Sequence, residues 1–287
     1  RFKKAIADSC AVLLISDSGP SLSGGETRSV RFHDLCQCQS VVVGNINSEF
    51  KVNEFALLQH SSGSTSDPKP IALSNRNVLH NLERIAERFA ISEDDVGASW
   101  LPHYHDMGLI GHILVPLYCG IENHFISPVD FSIRPISWLR LISKTGATIS
   151  GAPNFGYQHC HEAIIKNSNE IHNLNLSKWR VAYSGAECIS PKTLNLFSSS
   201  VSATGFSAGN FYPCYGLAES TLMVSCRRGV RVESSDASKN KKYVSVGAIN
   251  HHEVTIKKED ESVCAEREIG HIYIHSPSVA RLSDQSA

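Results

Sequence analysis

The run Ser61-Ser62-Gly63-Ser64-Thr65-Ser66-Asp67-Pro68-Lys69 gathers hydroxyls, a glycine and a lysine into one short stretch. Those groups suit phosphate. A polyphosphate takes several hydrogen-bond donors converging from one side, a backbone that approaches closely, and a cation. Ser62, Ser64 and Thr65 supply the hydroxyls, Gly63 the backbone freedom and Lys69 the charge. The Walker spacing G-x-x-x-x-G-K-[ST] is absent, and no Ser or Thr follows Lys69 to hold a metal ion. On these residues alone, a solvated Ser/Gly linker is an equal reading.

Three further constellations carry possible chemistry. His103, His105 and His112 lie close enough in sequence to raise a zinc site, but no fourth ligand is suggested nearby and Asp106 serves equally as a helix cap. His159-Cys160-His161 falls in a helical pattern, where such neighbours diverge, and reads as helix surface. Gly205-Phe206-Ser207-Ala208-Gly209 satisfies G-x-S-x-G, but a nucleophile elbow needs a strand before it and a helix after it, and neither flank fits.

The elements that must position these groups alternate. Strand candidates fall at residues 41–43, 55–58, 98–101, 147–150 and 179–183, with residues 54–59 reading as a buried strand ahead of the loop. Helix candidates fall between them at 75–89, 107–118, 135–144, 155–166 and 191–197. Ser74 opens the first helix, where Val78, Leu79, Leu82, Ile85, Ala86 and Phe89 recur at helical spacing, so the loop is expected between a strand end and that helix. Ser190 and Pro191 form an N-cap and first-turn proline. The alternation predicts an α/β layered fold with a largely parallel sheet over residues 1–223. Residues 224–287 read as a β-rich subdomain with short strands at 243–246, 253–257 and 271–275, after a strand at 221–225 that leads into it; the polar stretch 233–242 reads as a surface loop.

The chain has 287 residues, 41% hydrophobic, and a net charge of −1, so it has core enough to fold and no basic excess to hold nucleic acid. Nine scattered cysteines without a C-x-x-C pair suit a reducing compartment, and a cytoplasmic location is expected. No apolar run approaches the length of a membrane span. The missing initial Met and the stop just after a strand-like run suggest a piece of a longer protein.

The loop has ordered company: Trp100-Leu101-Pro102-His103-Tyr104-His105-Asp106-Met107-Gly108, Gly151-Ala152-Pro153-Asn154-Phe155, Ser184-Gly185-Ala186-Glu187, and Tyr215-Gly216-Leu217-Ala218-Glu219. In that order they resemble the adenylate-forming superfamily, and specifically the fatty acyl-AMP ligases. The resemblance implies an incomplete adenylate-forming-enzyme large domain with a β-rich tail, without the small C-terminal lid domain. It implies joining a fatty acid to the α-phosphate of ATP, with magnesium, release of pyrophosphate and transfer of the acyl group to an acyl carrier protein. The carboxylate needs no base; the obstacle is bringing an anion onto a polyanion, since two unit charges about 4 Å apart repel by about 4 kcal/mol at an effective dielectric of about 20. Ser62, Gly63, Ser64, Thr65 and Lys69 would then grip the outgoing phosphates, and Glu219 would hold magnesium. Ser184, Gly185, Ala186 and Glu187 would lie beside the adenine. Tyr215 would offer it a ring face within Tyr215-Gly216-Leu217-Ala218, and His105 would lie near the acyl and α-phosphate groups.

The chain departs from that pattern with Ser66 and Pro70 where relatives carry glycine, which implies a strained loop, and with a short interval from Glu219 to Gly247 where the ligases carry an insertion. An acyl-CoA ligase, or a degenerate module that binds an adenylate without turning it over, are the alternatives these departures raise.

Overall fold

The computed structural model describes residues 13–16, 28–31, 55–60, 70–235, 238–247 and 253–280. The chain divides into two units, Arg1–Ser74 with Leu282–Ala287, and Asn75–Arg281.

In the first unit, β1 (Leu13–Ser16) and β2 (Arg28–Arg31) pair in parallel. β3 (Leu57–His60) and β4 (Pro70–Leu73) pair antiparallel, with His60 opposite Pro70. The Ser/Gly loop therefore joins two paired strands rather than leading from a strand into a helix. Pro70 opens β4, a strand position where the missing N–H is tolerated. β3 is half-buried where a buried strand was expected, while Ile71 and Leu73 of β4 are buried on one face. The strand expected at 41–43 lies outside the described residues.

The second unit begins with α1 (Asn75–Phe89), where Val78, Leu82, Ile85 and Phe89 make the buried stripe that the spacing predicts. Six strands follow: β5 (Val96–Ser99), β6 (Glu122–Phe125), β7 (Ile149–Gly151), β8 (Val181–Ser184), β9 (Phe211–Gly216) and β10 (Met223–Cys226). Their order in the sheet is β6-β5-β7-β8-β9-β10. The first five are parallel and β10 is antiparallel to β9. β7 and β8 are buried along their whole length, as strands covered on both faces must be. β6 and β9 escape the apolar-run reading, β6 because its Glu-Asn-His-Phe sequence is polar.

The helix expected at 107–118 is not uniform: α2 (Asp106–Leu109) widens into a π-helical turn, Ile110–Leu114, before α3 (Val115–Cys119). α4 (Pro128–Ile133), which the sequence reading misses, is capped by Ser127, whose hydroxyl accepts from Val129 N. α5 (Ile136–Thr145), α6 (Asn154–Lys166) and α7 (Pro191–Ser200) lie close to their expected positions, and Ser190 caps α7. Cys160 corrects the reading of its segment as surface, since it is fully buried in α6. Ser207 sits between two 3₁₀ turns, Ser202–Thr204 and Ala208–Asn210, so the nucleophile-elbow setting is absent.

Trp138 forms the centre of the core. Its indole meets Trp179 at 5.3 Å, Tyr157 at 5.4 Å and Trp100 at 6.3 Å between ring centroids. Two buried polar tips are spent: Trp138 Nε1 donates to Ser150 Oγ at 2.8 Å, and Tyr157 OH donates to Tyr183 O at 2.7 Å.

After the sheet the chain forms two separate antiparallel pairs, β11 (Val232–Ser235) with β12 (Ser238–Val244), and β13 (Glu253–Lys257) with β14 (His271–His275). The first pair occupies the stretch expected to be a loop. Its register-matched partners, Val232 with Val244 and Glu233 with Tyr243, show that a polar strand paired on one edge needs no apolar run. β10 itself crosses the expected boundary at residue 223 and belongs to the central sheet.

Candidate active site

The sheet order determines where a ligand can sit. β5 has β6 on one side and β7 on the other, so the chain leaves the carboxyl ends of β5 and β7 in opposite directions and opens a crevice there. Four of the sequence segments singled out above follow carboxyl ends of parallel strands: β5, β7, β8 and β9.

After β5, Trp100 and Leu101 are buried while His103, Tyr104 and His105 are exposed. Trp100 stacks on Phe131 at 3.7 Å, which anchors the segment. His105 occupies the N-cap position of α2 without a side-chain cap bond. Its Nδ1 lies 2.6 Å from Asp106 Oδ1, and that hydrogen bond raises the imidazole pKa against the opposing effect of burial. Asp106, expected as a possible cap, is instead a buried first-turn residue whose Oδ1 also accepts from Met107 N at 2.7 Å. His112 is fully buried in the π turn, and burial pulls it down to about 4, so it is neutral. The three histidines thus occupy different environments, and no group of three His, Cys, Asp or Glu that could hold a metal exists among the described residues.

The segments after β7 and β8 are tied together. Phe155 N, in the first turn of α6, donates to Glu187 Oε1 at 2.8 Å, and Ser190 N donates to Asn154 Oδ1 at 2.9 Å. A carboxylate at a helix N-terminus is held by both the free N–H groups and the helix dipole. Ser184 is buried with a hydroxyl that has no partner, and Ala186 takes a left-handed φ of 66°. A Cβ on Gly185 would lie 3.3 Å from the Cys214 carbonyl oxygen, so the close approach Gly185 permits is to β9.

After β9, Tyr215, Gly216, Leu217, Ala218 and Glu219 are all half-buried. Burial, and to a lesser degree the Glu219 charge, push the Tyr215 hydroxyl up. Gly216 is obligatory, because a Cβ there would sit 1.8 Å from Leu222 O. Just beyond, Thr221 has φ 69° and ψ −61°, and Leu222 N donates to Ser220 O at 2.8 Å. That is a γ-turn of the strained hand, with a cost of about 1–3 kcal/mol for a β-branched residue.

What holds this strained turn is a residue the sequence reading passes over. Asn81 of α1, fully buried, donates from Nδ2 to Met223 O at 2.9 Å and to Ser220 O at 3.3 Å, and its Oδ1 accepts from Met223 N at 3.1 Å. Thr221 Oγ1 donates to Ser278 O at 2.9 Å, and Asn77 Nδ2 donates to Pro277 O and Val279 O. The signal was available: Asn77 and Asn81 are spaced by four on the apolar face of an amphipathic helix.

Ser62, Gly63, Ser64, Thr65, Ser66 and Lys69 lie outside the described residues. His105, Ser184 to Glu187 and Tyr215 to Glu219 all lie at the carboxyl edge of one sheet. A half-buried carboxylate can hold a hard cation, and a half-buried phenol ring on the same strand end can face an aromatic ligand.

The AMP-binding enzyme family matches residues 6–282. A medium-chain-fatty-acid–[acyl-carrier-protein] ligase of Teredinibacter turnerae is 42% identical over 180 residues, covering 63% of this chain and 28% of that protein. A ligase of the same description from Moorena producens is 40% identical over 184 residues, covering 64% of this chain and 30% of its own length. Among solved structures, the fatty acyl-adenylate ligase from L. pneumophila in complex with acyl adenylate and pyrophosphate superposes with a TM-score of 0.84 at 31% identity, over 99% of this chain and 54% of that one. The chain thus spans under a third of these two curated relatives and about half of the solved structure.

Proposed function

This chain belongs to the AMP-binding enzyme family, and we propose that its protein activates a fatty acid as acyl-AMP, releases pyrophosphate and passes the acyl group to the phosphopantetheine thiol of a carrier protein in the cytoplasm. The observation that carries this reading is the convergence of four segments at the carboxyl edge of the parallel sheet. The names of the relatives, carrier-protein ligases and an acyl-adenylate complex, support the same chemistry. Six described cysteines are free thiols, as a reducing compartment requires.

In this reading Ser184 to Glu187 and the Tyr215 ring flank the adenine. The unpartnered hydroxyl of Ser184 is a donor in reserve at that edge. Glu219 would hold magnesium, which supplies charge neutralisation between carboxylate and triphosphate. A single half-buried protein carboxylate fits, since magnesium takes its remaining ligands from phosphates and water. Lys69 and the hydroxyls of Ser62, Ser64 and Thr65 would hold the departing phosphates, and His105 would lie beside the acyl and α-phosphate groups.

The test uses the full-length protein with ATP, magnesium and a medium- or long-chain fatty acid, with acyl products resolved by mass. Acyl-AMP that persists in the presence of coenzyme A and discharges onto a phosphopantetheinylated carrier protein is the expected result. Efficient acyl-CoA formation would overturn the acceptor, and absence of acyl-AMP would overturn adenylation itself.

A further inference from the structure

We propose that Cys214 and Cys226 are a redox couple that closes to a cross-strand disulfide under a hydroperoxide and fixes the turn carrying Tyr215 and Glu219. The two cysteines are direct partners in the β9–β10 ladder. Arg227 N donates to Pro213 O at 3.2 Å and Gly229 N to Phe211 O at 2.7 Å, so the pairs 213/227 and 211/229 are of the hydrogen-bonded kind. Antiparallel pairs alternate, which makes 214/226 a narrow, non-hydrogen-bonded pair. In such pairs the Cα atoms are about 4.5 Å apart and the side chains leave on one face. Disulfides span Cα separations of about 4.4–6.8 Å, so the bond can form without moving either strand apart.

The chemistry of the two thiols differs. Cys214 Sγ donates to Tyr212 O at 3.1 Å. Burial pushes the Cys214 thiol up, while the neighbouring Cys214 thiol and the Arg88 charge draw Cys226 down against its own burial. Cys226 stands on the edge strand β10, the side an oxidant reaches first, and acts as the nucleophile, with Cys214 on the inner strand β9 as the resolving thiol. The Cys226 thiolate attacks one peroxide oxygen, the O–O bond breaks, and the departing oxygen takes a proton to leave as alcohol or water. Cys214 then attacks the sulfenic sulfur, the S–S bond forms, and the hydroxyl leaves as water with the Cys214 proton. Two thiols and one hydroperoxide give one disulfide, one alcohol and one water, with two electrons passing from sulfur to oxygen. β10 is the edge strand of the sheet, so local opening admits so small an oxidant.

The bond would act on both halves of the candidate site. Residues 215–225 lie between the two cysteines. On the other side, a Cβ on Gly185 would be 3.5 Å from Cys214 Cβ, and Ser184 pairs with Pro213, the neighbour of Cys214.

This inference goes beyond the proposed function, and its main readout does not depend on it. The reduced full-length protein is treated with hydrogen peroxide, alkylated, digested and mapped by mass. A 214–226 linked peptide, lighter by about 2 Da than the two thiols and cleaved by dithiothreitol, is expected. The link should vanish in Cys226→Ser, with Cys214 then alkylated. Recovery of both cysteines alkylated, or Cys226 carried to the sulfinic acid with Cys214 still free, would overturn the proposal. If adenylation is active, ATP–pyrophosphate exchange should change on oxidation and return on reduction in the parent and stay constant in Cys226→Ser. An unchanged rate despite a mapped disulfide would overturn the effect on the site.

Discussion

At the scale of single residues, the carboxylate of Glu219 bears the most specific expectation. Glu219→Gln preserves volume and hydrogen bonding but removes the charge that a hard cation seeks, so acyl-AMP formation should fall by about 10²-fold or more and require more magnesium. A magnesium titration matching the parent would remove the metal role. Lys69→Ala in the full-length protein should weaken MgATP use with unchanged thermal stability, and unaltered ATP–pyrophosphate exchange would reject the phosphate role. His105 offers a check that needs no turnover. Its hydrogen bond to Asp106 holds the proton, so its imidazole should titrate above the ordinary histidine range by NMR and return toward it in Asp106→Asn. These side chains stand out in the sequence because each sits in a motif. The role of Asn81 does not, since a pair of polar residues on an apolar helix face announces burial without naming its partners.

The elements divide the sheet's two ends between different duties. At the amino end, opposite the candidate site, Asp95 accepts from Arg180 Nε at 2.9 Å, Thr148 Oγ1 at 2.6 Å and Ser92 N at 2.9 Å. Arg180 also donates to Phe89 O and Ala90 O, closing the end of α1. Burial alone would raise the Asp95 pKa, but the bonds from Arg180, Thr148 and Ser92 outweigh it and the net shift is downward. A depressed folded pKa gives stability that is present above the unfolded value and lost as pH falls through the folded one. Asp95→Asn should therefore cost about 2–3 kcal/mol near neutral pH, with the gap to the parent closing below about pH 4. Thermal melts across pH check this, and a pH-independent gap would contradict it. Helices with apolar stripes and caps could be read from sequence, α1 with accurate limits and α7 with an accurate start but an end three residues short. β6, β11 and β12 could not, because each is a polar strand whose partner, rather than its own pattern, makes it a strand.

For the molecule as a whole, the strand order is what turns dispersed motifs into one site. Sequence alternation predicts parallel strands but not that β6 and β7 flank β5 on opposite sides, and that arrangement makes the crevice. Its rigidity rests on the aromatic core around Trp138. Trp138→Ala should cost about 3–5 kcal/mol, and Trp138→Phe distinctly less, with denaturant midpoints as the measure. Equal loss in both would mean that the Nε1 bond to Ser150, not packing, dominates.

The clamp made by Asn77 and Asn81 has a consequence in time. These amides bind groups 139 to 202 residues further along the chain. At about 5–20 residues per second of synthesis, α1 emerges roughly 10–40 s before the last of its partners exists. For that interval the helix presents its apolar stripe and two unmet amides to whatever else is near the ribosome. The element whose limits are easiest to read in the sequence is thus among the last to be satisfied during biogenesis.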